Sequence, residues 1–196
     1  MIPGTQGYEQ EAPELLKRYE AMPFEQAHPG PLDLIPPSCV RVLDIGAGTG
    51  RDAAWFAARG DEVTAVEPTP AMREGAMALH PEANIEWIDD SLPELVSVRG
   101  RVFDLVWISA VWMHFDSADR ARMMSVVAPL VAPGGVLMIS LRRGPVPEGR
   151  RMFEVPPAET QAAAQAAGLV CAQMHSAAST YARGVFWDRL WFVRAG

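Results

Sequence analysis

Short runs of consecutive apolar residues alternate along much of the chain with longer segments that mix alanine, polar and aromatic residues. Uninterrupted apolar runs that are rich in β-branched residues are typical of strands covered on both faces of a parallel sheet. The pattern predicts five such strands, at residues 40–45, 62–67, 85–89, 102–109 and 136–141.

Helices are predicted between most of these strands, because glycine and proline mark the points where helical segments begin or end. Thr69 can cap one helix, and Asp116 or Ser117 can cap another, which the Pro-Gly-Gly sequence at 133–135 should end. Alternation of strand and helix implies βαβ units, and therefore a parallel sheet with helices on both faces. The predicted helices cover residues 13–22, 51–59 and 116–131, and a segment that starts at Pro70.

The C-terminal part of the chain has a different order of elements. A predicted helix at 158–167 is followed by strands at 169–175 and 185–193, with no helix between the two strands. Consecutive strands without a crossover helix should pair antiparallel, so we expect the sheet to end in a hairpin.

A glycine-rich segment follows the first strand and opens a helix. Residues 42–50 read VLDIGAGTG, and alternating glycines let the backbone turn sharply and let a ligand approach closely. Glu67 ends the second strand, 23 residues after Asp44, where a carboxylate can accept two hydrogen bonds from a ribose diol. The combination indicates a nucleotide-type site. The alternatives are a tight turn without a ligand and a solvated strand-end glutamate.

The spacing of the glycines discriminates between classes of ligand. A dinucleotide fold carries GxGxxG, with phosphate at the helix N-terminus. Here the pattern is DxGxGxG, and Asp44 would repel a pyrophosphate but attract a cation or an ammonium group. An NAD(P)-linked oxidoreductase is therefore a weak alternative.

These motifs resemble those of class I S-adenosylmethionine-dependent methyltransferases. The resemblance lies in residues 42–50, Glu67-Pro68, the FDLV sequence at 103–106 and the Pro-Gly-Gly sequence. It implies a Rossmann-like, seven-stranded, mostly parallel sheet with an antiparallel C-terminal hairpin strand and helices on both faces. It also implies one bound S-adenosylmethionine, which methyl transfer would convert to S-adenosylhomocysteine.

The resemblance also implies an organisation of the chain and a set of site residues. We expect a single domain over 1–196, with an N-terminal helix and lid at 1–38, a cofactor-binding core at 39–141, and a C-terminal helix and hairpin at 142–196. Asp44 would support the amino end of the methionine moiety, and Glu67 would hold the ribose hydroxyls. The other implied cofactor contacts are Tyr19, Gly46, Ala47, Gly48, Gly50, Pro68, Met72, Asp90, Ser91, Leu92, Ser109 and Ala110.

Three positions leave alternatives open. Asp89 and Asp90 are adjacent, so a shift of one residue exchanges them, and the pair could instead only cap the following turn. His114 lies beyond the fourth strand and is the candidate for acid/base chemistry; the alternative is a histidine that orders the turn. Arg142 and Arg143 leave the fifth strand and could bind a carboxylate or phosphate of the acceptor, or form a surface pair.

Composition narrows the function classes further. The chain has 17 basic and 24 acidic residues and a formal charge of -7, which disfavours nucleic acid and anionic membranes as partners. Cys39 and Cys171 form no CxxC pattern, and the histidines have no metal-ligand spacing, so we expect no metal site. The N-terminal segment lacks an apolar signal core, and we expect a cytoplasmic protein.

The sequence therefore predicts a methyltransferase that acts on a small-molecule acceptor by in-line displacement. A protein of the same fold that binds the cofactor without transferring its methyl group is the second hypothesis. Whether oxygen, nitrogen, sulfur or carbon accepts the methyl group, and which oligomeric state the protein adopts, stay open at this point.

Overall fold

A computed structural model describes residue 2, residues 4–37 and residues 40–196, so Cys39 and the predicted boundary at 38 and 39 lie outside the described residues. Seven strands form one sheet in the order β3-β2-β1-β4-β5-β7-β6. The first five strands run parallel, and β7 is antiparallel to both β5 and β6. The strands are β1 (Arg41–Ile45), β2 (Glu62–Val66), β3 (Ile85–Ile88), β4 (Phe103–Ile108), β5 (Val131–Arg143), β6 (Leu169–Ala178) and β7 (Phe186–Arg194). This confirms the predicted Rossmann-like sheet.

Apolar side chains cover both faces of the sheet because successive residues of a strand point to opposite sides. Leu43, Val106 and Ile108 belong to one buried cluster, whereas Leu105 and Trp107 belong to the other. The covering helices are α1 (Tyr8–Glu20), α2 (Phe24–Ala27), α3 (Arg51–Ala58), α4 (Pro70–Leu79), α5 (Ser117–Val127) and α6 (Pro157–Ala166). No helix in the described ranges is long and apolar enough to cross a membrane.

The N-terminal helix begins earlier than predicted. Proline favours the first turn of a helix, which set the predicted start at Pro13, yet α1 begins at Tyr8 and contains that proline. Burial explains the extension, because Ala12 and Leu15 pack with Met72 in a small apolar cluster to which Tyr8 also contributes. Tyr8 is thereby brought into the structured part of the chain.

The Pro-Gly-Gly sequence at 133–135 lies within β5, so the prediction that it ends a helix is wrong. Helix α5 ends at Val127, and a short 3-10 helix over Ala128–Leu130 leads directly into β5. The pairing of β5 with β4 shifts register at this sequence. A Cβ atom on Gly135 would lie 2.9 Å from the carbonyl oxygen of Ala132, so the glycine permits this irregular strand.

Candidate functional site

One cavity of about 370 Å³ lies at the carboxyl ends of β1, β2 and β4. This is where ligands bind in open α/β sheets, and the volume falls within the range of small-molecule sites, ~300 to 1,000 Å³. The wall is formed by the glycine loop and the strand ends on one side, and by the N-terminal helices and the loop between β6 and β7 on the other.

The structure brings nearly all the predicted site residues to this cavity. Gly50 is the exception among them and does not line it. It caps α3 at φ 81°, and a Cβ atom there would lie 2.9 Å from the Trp87 ring, so this glycine serves packing. The predicted residues that line the cavity are Tyr19, Asp44, Gly46, Ala47, Gly48, Glu67, Pro68, Met72, Asp90, Ser91, Leu92, Ser109, Ala110 and His114.

The glycine loop is fixed to the second strand by its backbone. The amide groups of Gly46 and Ala47 both donate to the carbonyl oxygen of Val66, at 2.8 and 3.0 Å. Gly48 follows with φ +59°, and the nearest atom to a Cβ placed there would be Met72 Cε at 3.9 Å. The space above Gly48 is therefore open for a ligand that approaches the backbone closely.

Glu67 joins the glycine loop to the end of β2. Its Oε2 accepts a hydrogen bond from the Gly48 amide at 2.9 Å, and its Oε1 accepts one from the Thr69 amide at 2.8 Å. Burial raises the pKa of this carboxyl, and the two amide bonds act in the opposite direction. Each oxygen retains a lone pair with which it can accept a ribose hydroxyl.

Asp44 is a buried carboxylate that lacks a hydrogen-bond partner for one of its oxygens among the described residues. That oxygen is Oδ2, and the side chain is only 2% exposed. Burial raises its pKa well above the ordinary value, and the charge of Asp52 adds to that effect. A cationic group of a ligand in the cavity would supply the missing partner.

We expect Asp44→Asn to stabilise the ligand-free protein by about 1 to 3 kcal/mol at neutral pH, because it removes a buried charge without a full set of partners. A carboxyl whose pKa is raised by folding contributes stability that is lost as pH rises through the raised pKa. The difference between variant and wild type should therefore vanish below pH 3.8, the ordinary value. Urea titrations between acid and neutral pH measure this.

The control for this substitution is Asp33→Asn, which removes the same charge from an exposed position. Its unfolding free energy should stay within about 0.5 kcal/mol of wild type. A variant at Asp44 that is less stable than wild type at neutral pH would show that the carboxylate is already satisfied.

The two adjacent acidic residues after β3 have different surroundings. Asp90 lines the cavity, whereas Asp89 is 63% exposed and forms an ion pair with Arg73 at 3.1 Å. Asp90 also accepts the amide protons of Ser91 and Ser97, each at 2.7 Å. It therefore caps the turn and borders the cavity at the same time.

His114 is held by two hydrogen bonds on opposite sides of its ring. Nδ1 lies 2.9 Å from the Arg151 carbonyl oxygen, and since a carbonyl only accepts, Nδ1 carries the proton. Nε2 then presents its lone pair to the Tyr8 hydroxyl at 3.2 Å. Burial lowers the pKa of His114, assisted by the charges of Arg150 and Arg142. The imidazole is therefore neutral at physiological pH.

Sequence reasoning missed Tyr8, which lines the cavity beside His114. Its half-buried ring lies under the Arg150 guanidinium, 4.2 Å from the ring centroid, and desolvation raises the pKa of its hydroxyl. A signal was present, because Tyr8, Ala12, Leu15 and Tyr19 recur at the spacing of one helix face. Placing the start of the helix at the proline concealed it.

His28 was missed as well, and it lines the cavity in a polar cluster with Arg51 and Asp52. Its Nε2 lies 2.7 Å from Oδ2 of Asp52, which also accepts the indole proton of Trp107 at 2.9 Å. Arg51 donates to the other oxygen at 2.8 Å. These partners hold the pKa of Asp52 below its usual range. Both oxygens of this carboxylate are thereby engaged by neighbouring side chains.

The two arginines after β5 have opposite surroundings. Arg142 lines the cavity, whereas Arg143 forms a two-point ion pair with Asp188, at 2.5 and 3.0 Å, and does not line it. Arg189 on β7 also lines the cavity and was not anticipated. Within the described ranges, no group of three or more histidine, cysteine, aspartate or glutamate side chains has the arrangement of a metal site.

Two contacts close part of the cavity, and we call the segments that make them the cover. Helix α1 packs so closely on α4 that a Cβ atom at Gly75 would collide with Leu16. The Tyr181 hydroxyl, from the loop between β6 and β7, donates to Oε1 of Gln26 at 2.8 Å. The cover therefore consists of residues 8–27 and the loop 179–185.

Comparisons with known proteins relate this chain to methyltransferases in sequence and in fold. Residues 42–135 match the family model described as methyltransferase domain. An "uncharacterized methyltransferase" of Mycobacterium tuberculosis is 34% identical over 104 residues, which are 53% of this chain and 40% of the relative. A ubiquinone biosynthesis O-methyltransferase of Alkalilimnicola ehrlichii is 31% identical over 135 residues, 64% of this chain and 53% of that protein. The chain thus spans about half the length, or less, of these curated relatives.

A solved structure shares the fold over nearly the whole chain. It is the 1,6-didemethyltoxoflavin-N1-methyltransferase of Burkholderia thailandensis with bound 1,6-didemethyltoxoflavin and S-adenosylhomocysteine. The TM-score is 0.67 at 20% identity, and the match covers 97% of this chain and 80% of that chain.

Proposed function

We propose that this chain, which contains a class I S-adenosylmethionine-dependent methyltransferase domain, transfers the methyl group of S-adenosylmethionine to a small-molecule acceptor. The observation that carries the proposal is the buried Asp44 carboxylate, which lacks a full set of partners and borders the cavity next to Gly48 and Glu67. The cavity volume and the net charge of -7 support a small acceptor over a nucleic acid. The cytoplasmic location stays a prediction.

The residues present fit this cofactor. Asp44 would face its positively charged amino group, and Glu67 would accept the ribose hydroxyls with the lone pairs that its amide partners leave free. Gly48 leaves room for the methionine moiety, since the nearest atom to a Cβ placed there would be 3.9 Å away. The adenine would lie against Met72, Pro68 and Leu92, and the Asp90 carboxylate would accept a hydrogen bond from its amino group.

The cofactor supplies an electrophilic methyl group on a sulfonium sulfur. The main task of the chain is to hold the acceptor in line with that methyl group, and such positioning is worth up to ~7 to 11 kcal/mol. Where the accepting atom carries a proton, Nε2 of His114 is the neutral base at the cavity wall, and the Tyr8 hydroxyl can pass a proton to it. The Arg151 carbonyl fixes the tautomer that exposes this lone pair.

Calorimetric titration with S-adenosylhomocysteine and with NAD tests the assignment of the cofactor. We expect binding of the sulfur ligand and none of NAD, because Asp44 opposes a pyrophosphate. Glu67→Gln should weaken binding by about 1.5 to 3 kcal/mol, the range for hydrogen bonds to charged groups. Glu62→Gln, at the exposed start of the strand β2 that Glu67 follows, is the matched control and should bind as wild type does.

Turnover separates catalysis from binding alone. S-adenosylhomocysteine should accumulate from S-adenosylmethionine only when an acceptor from a small-molecule panel is present. A protein that binds the cofactor tightly and forms no product with any acceptor would support the non-catalytic alternative. Failure to bind either sulfur ligand would overturn both.

A further inference from the structure

Two arginine side chains border the cavity without an anionic partner among the described residues. Arg142 is half-buried, and neither a hydrogen bond nor an ion pair joins it to another described side chain. Arg189 is 4% exposed and donates from Nη2 to the carbonyl oxygen of Ala27 at 2.7 Å. Its Nε and Nη1 are buried and have no partner in the described part of the chain. Such an arrangement is costly unless an anion completes it.

The register of the sheet places these arginines next to each other. Ser140 pairs with Arg189, and Arg142 pairs with Trp187 across the antiparallel β5 and β7. Paired residues share a face of the sheet, so Arg142 and Arg189 are diagonal neighbours on the same face. Diagonal neighbours lie roughly 7 to 8 Å apart, within reach of long side chains. One small anion can therefore contact both guanidinium groups.

Nearby carboxylates do not neutralise this pair. Asp52 is the acidic group whose charge acts on Arg189, yet both its oxygens are bonded to His28, Trp107 and Arg51. Asp188 is occupied by the ion pair with Arg143. Burial lowers the pKa of the arginines at 142 and 189, but a guanidinium stays charged in proteins. The cavity thus holds positive charge that the described residues leave without a counter-ion.

We propose that Arg142 and Arg189 form a subsite for an anionic group of the acceptor, which is therefore a small molecule carrying a carboxylate or a phosphate. The inference rests on the proposed function, because it names the class of acceptor for the same cavity. Arg142 lies close enough to His114 for its charge to lower the pKa of that histidine. The anion would accordingly be held on the side of the cavity where the proton of the accepting atom is removed.

The methionine carboxylate of the cofactor is the competing anion, so the test must separate the two. Benzoate, phenyl phosphate and benzamide are titrated into the complex with S-adenosylhomocysteine, in which the carboxylate of the cofactor is already present. We expect benzoate or phenyl phosphate to bind at least tenfold more tightly than benzamide, which has a similar shape and no charge. Whichever anion binds better identifies the carboxylate or the phosphate as the preferred group.

Substitutions assign the preference to the arginines. Arg142→Gln should remove the tenfold preference while affinity for S-adenosylhomocysteine stays within twofold, and Arg142→Lys should restore part of it. Arg99→Gln is the control, because it removes the same charge from an exposed position that neither lines the cavity nor belongs to the cover. It should retain the full preference.

Three results would overturn the anion subsite while leaving the proposed function intact. They are affinities of benzoate and phenyl phosphate that both equal that of benzamide, no binding of either anion to the complex, and a loss of S-adenosylhomocysteine affinity in Arg142→Gln. The last result would assign Arg142 to the carboxylate of the cofactor. Failure of the wild type to bind S-adenosylhomocysteine at all would instead contradict the proposed function, and the titration with that ligand alone reveals it.

Discussion

Replacing Gly48 with valine is expected to abolish binding of S-adenosylmethionine and S-adenosylhomocysteine while the protein stays folded. The residue has φ +59°, and its Cα faces open space in the cavity, with Met72 Cε 3.9 Å from the point that a Cβ atom would occupy. A β-branched side chain would fill the volume that the methionine moiety needs. Calorimetry should show no binding heat at ligand concentrations that saturate the wild type.

The control must reproduce the backbone strain without the blocked cavity. Gly134→Val does so, because Gly134 has φ +75°, is exposed and has no atom within 4 Å of a Cβ position. Both variants should lose about 1 to 2 kcal/mol of stability, the cost of a left-handed conformation for a residue with a Cβ atom. Only the variant at Gly48 should lose the ligand. Unimpaired affinity there would place the methionine moiety elsewhere.

Replacing His114 with glutamine is expected to lower turnover by ~10² or more, with little change in cofactor affinity. The reason is that the unprotonated Nε2 of His114, at the cavity wall, can accept a proton. In the wild type, the rate should rise with pH through the pKa of His114, which burial places below the ordinary 6.5. The pH-rate profile of the variant should lack this limb. Tyr8→Phe, which removes the hydroxyl at 3.2 Å, should displace the limb.

His80→Gln is the matched control, because His80, whose Nε2 lies 3.4 Å from Oε2 of Glu20, does not line the cavity. Its turnover should remain close to that of wild type. If His114→Gln retains turnover within a few-fold and an unchanged profile, the histidine only anchors the chain at Arg151. Catalysis would then rest on positioning alone.

The parts of the site that the sequence could predict are those that depend on short-range spacing. Asp44, Gly46 and Gly48 belong to one strand-to-helix turn, and Glu67 follows from the end of the next strand. The alternation of apolar runs predicted the parallel strands, and the missing helix predicted the terminal hairpin. These features are local, so periodicity and turn chemistry define them.

Features that depend on packing between distant segments could not be predicted in this way. Arg142 and Arg143 are consecutive residues of the same type, so their side chains point to opposite faces of the sheet. Only the pairing of β5 with β7 shows which of the two faces the cavity. Tyr8 and His114 meet although 106 residues separate them. Gly50 is the third glycine of the loop sequence, but it packs against the Trp87 ring and does not line the cavity.

The cover has a kinetic consequence. Residues 8–27 and the loop 179–185 are far apart in sequence and touch through the Tyr181–Gln26 hydrogen bond. Where this contact encloses a bound molecule, that molecule exchanges with solvent only after one of the two segments moves, whatever the speed of the bond-making step. The lifetime of the closed form therefore sets a ceiling on turnover, and tighter closure would hold the acceptor better while delaying departure of the product.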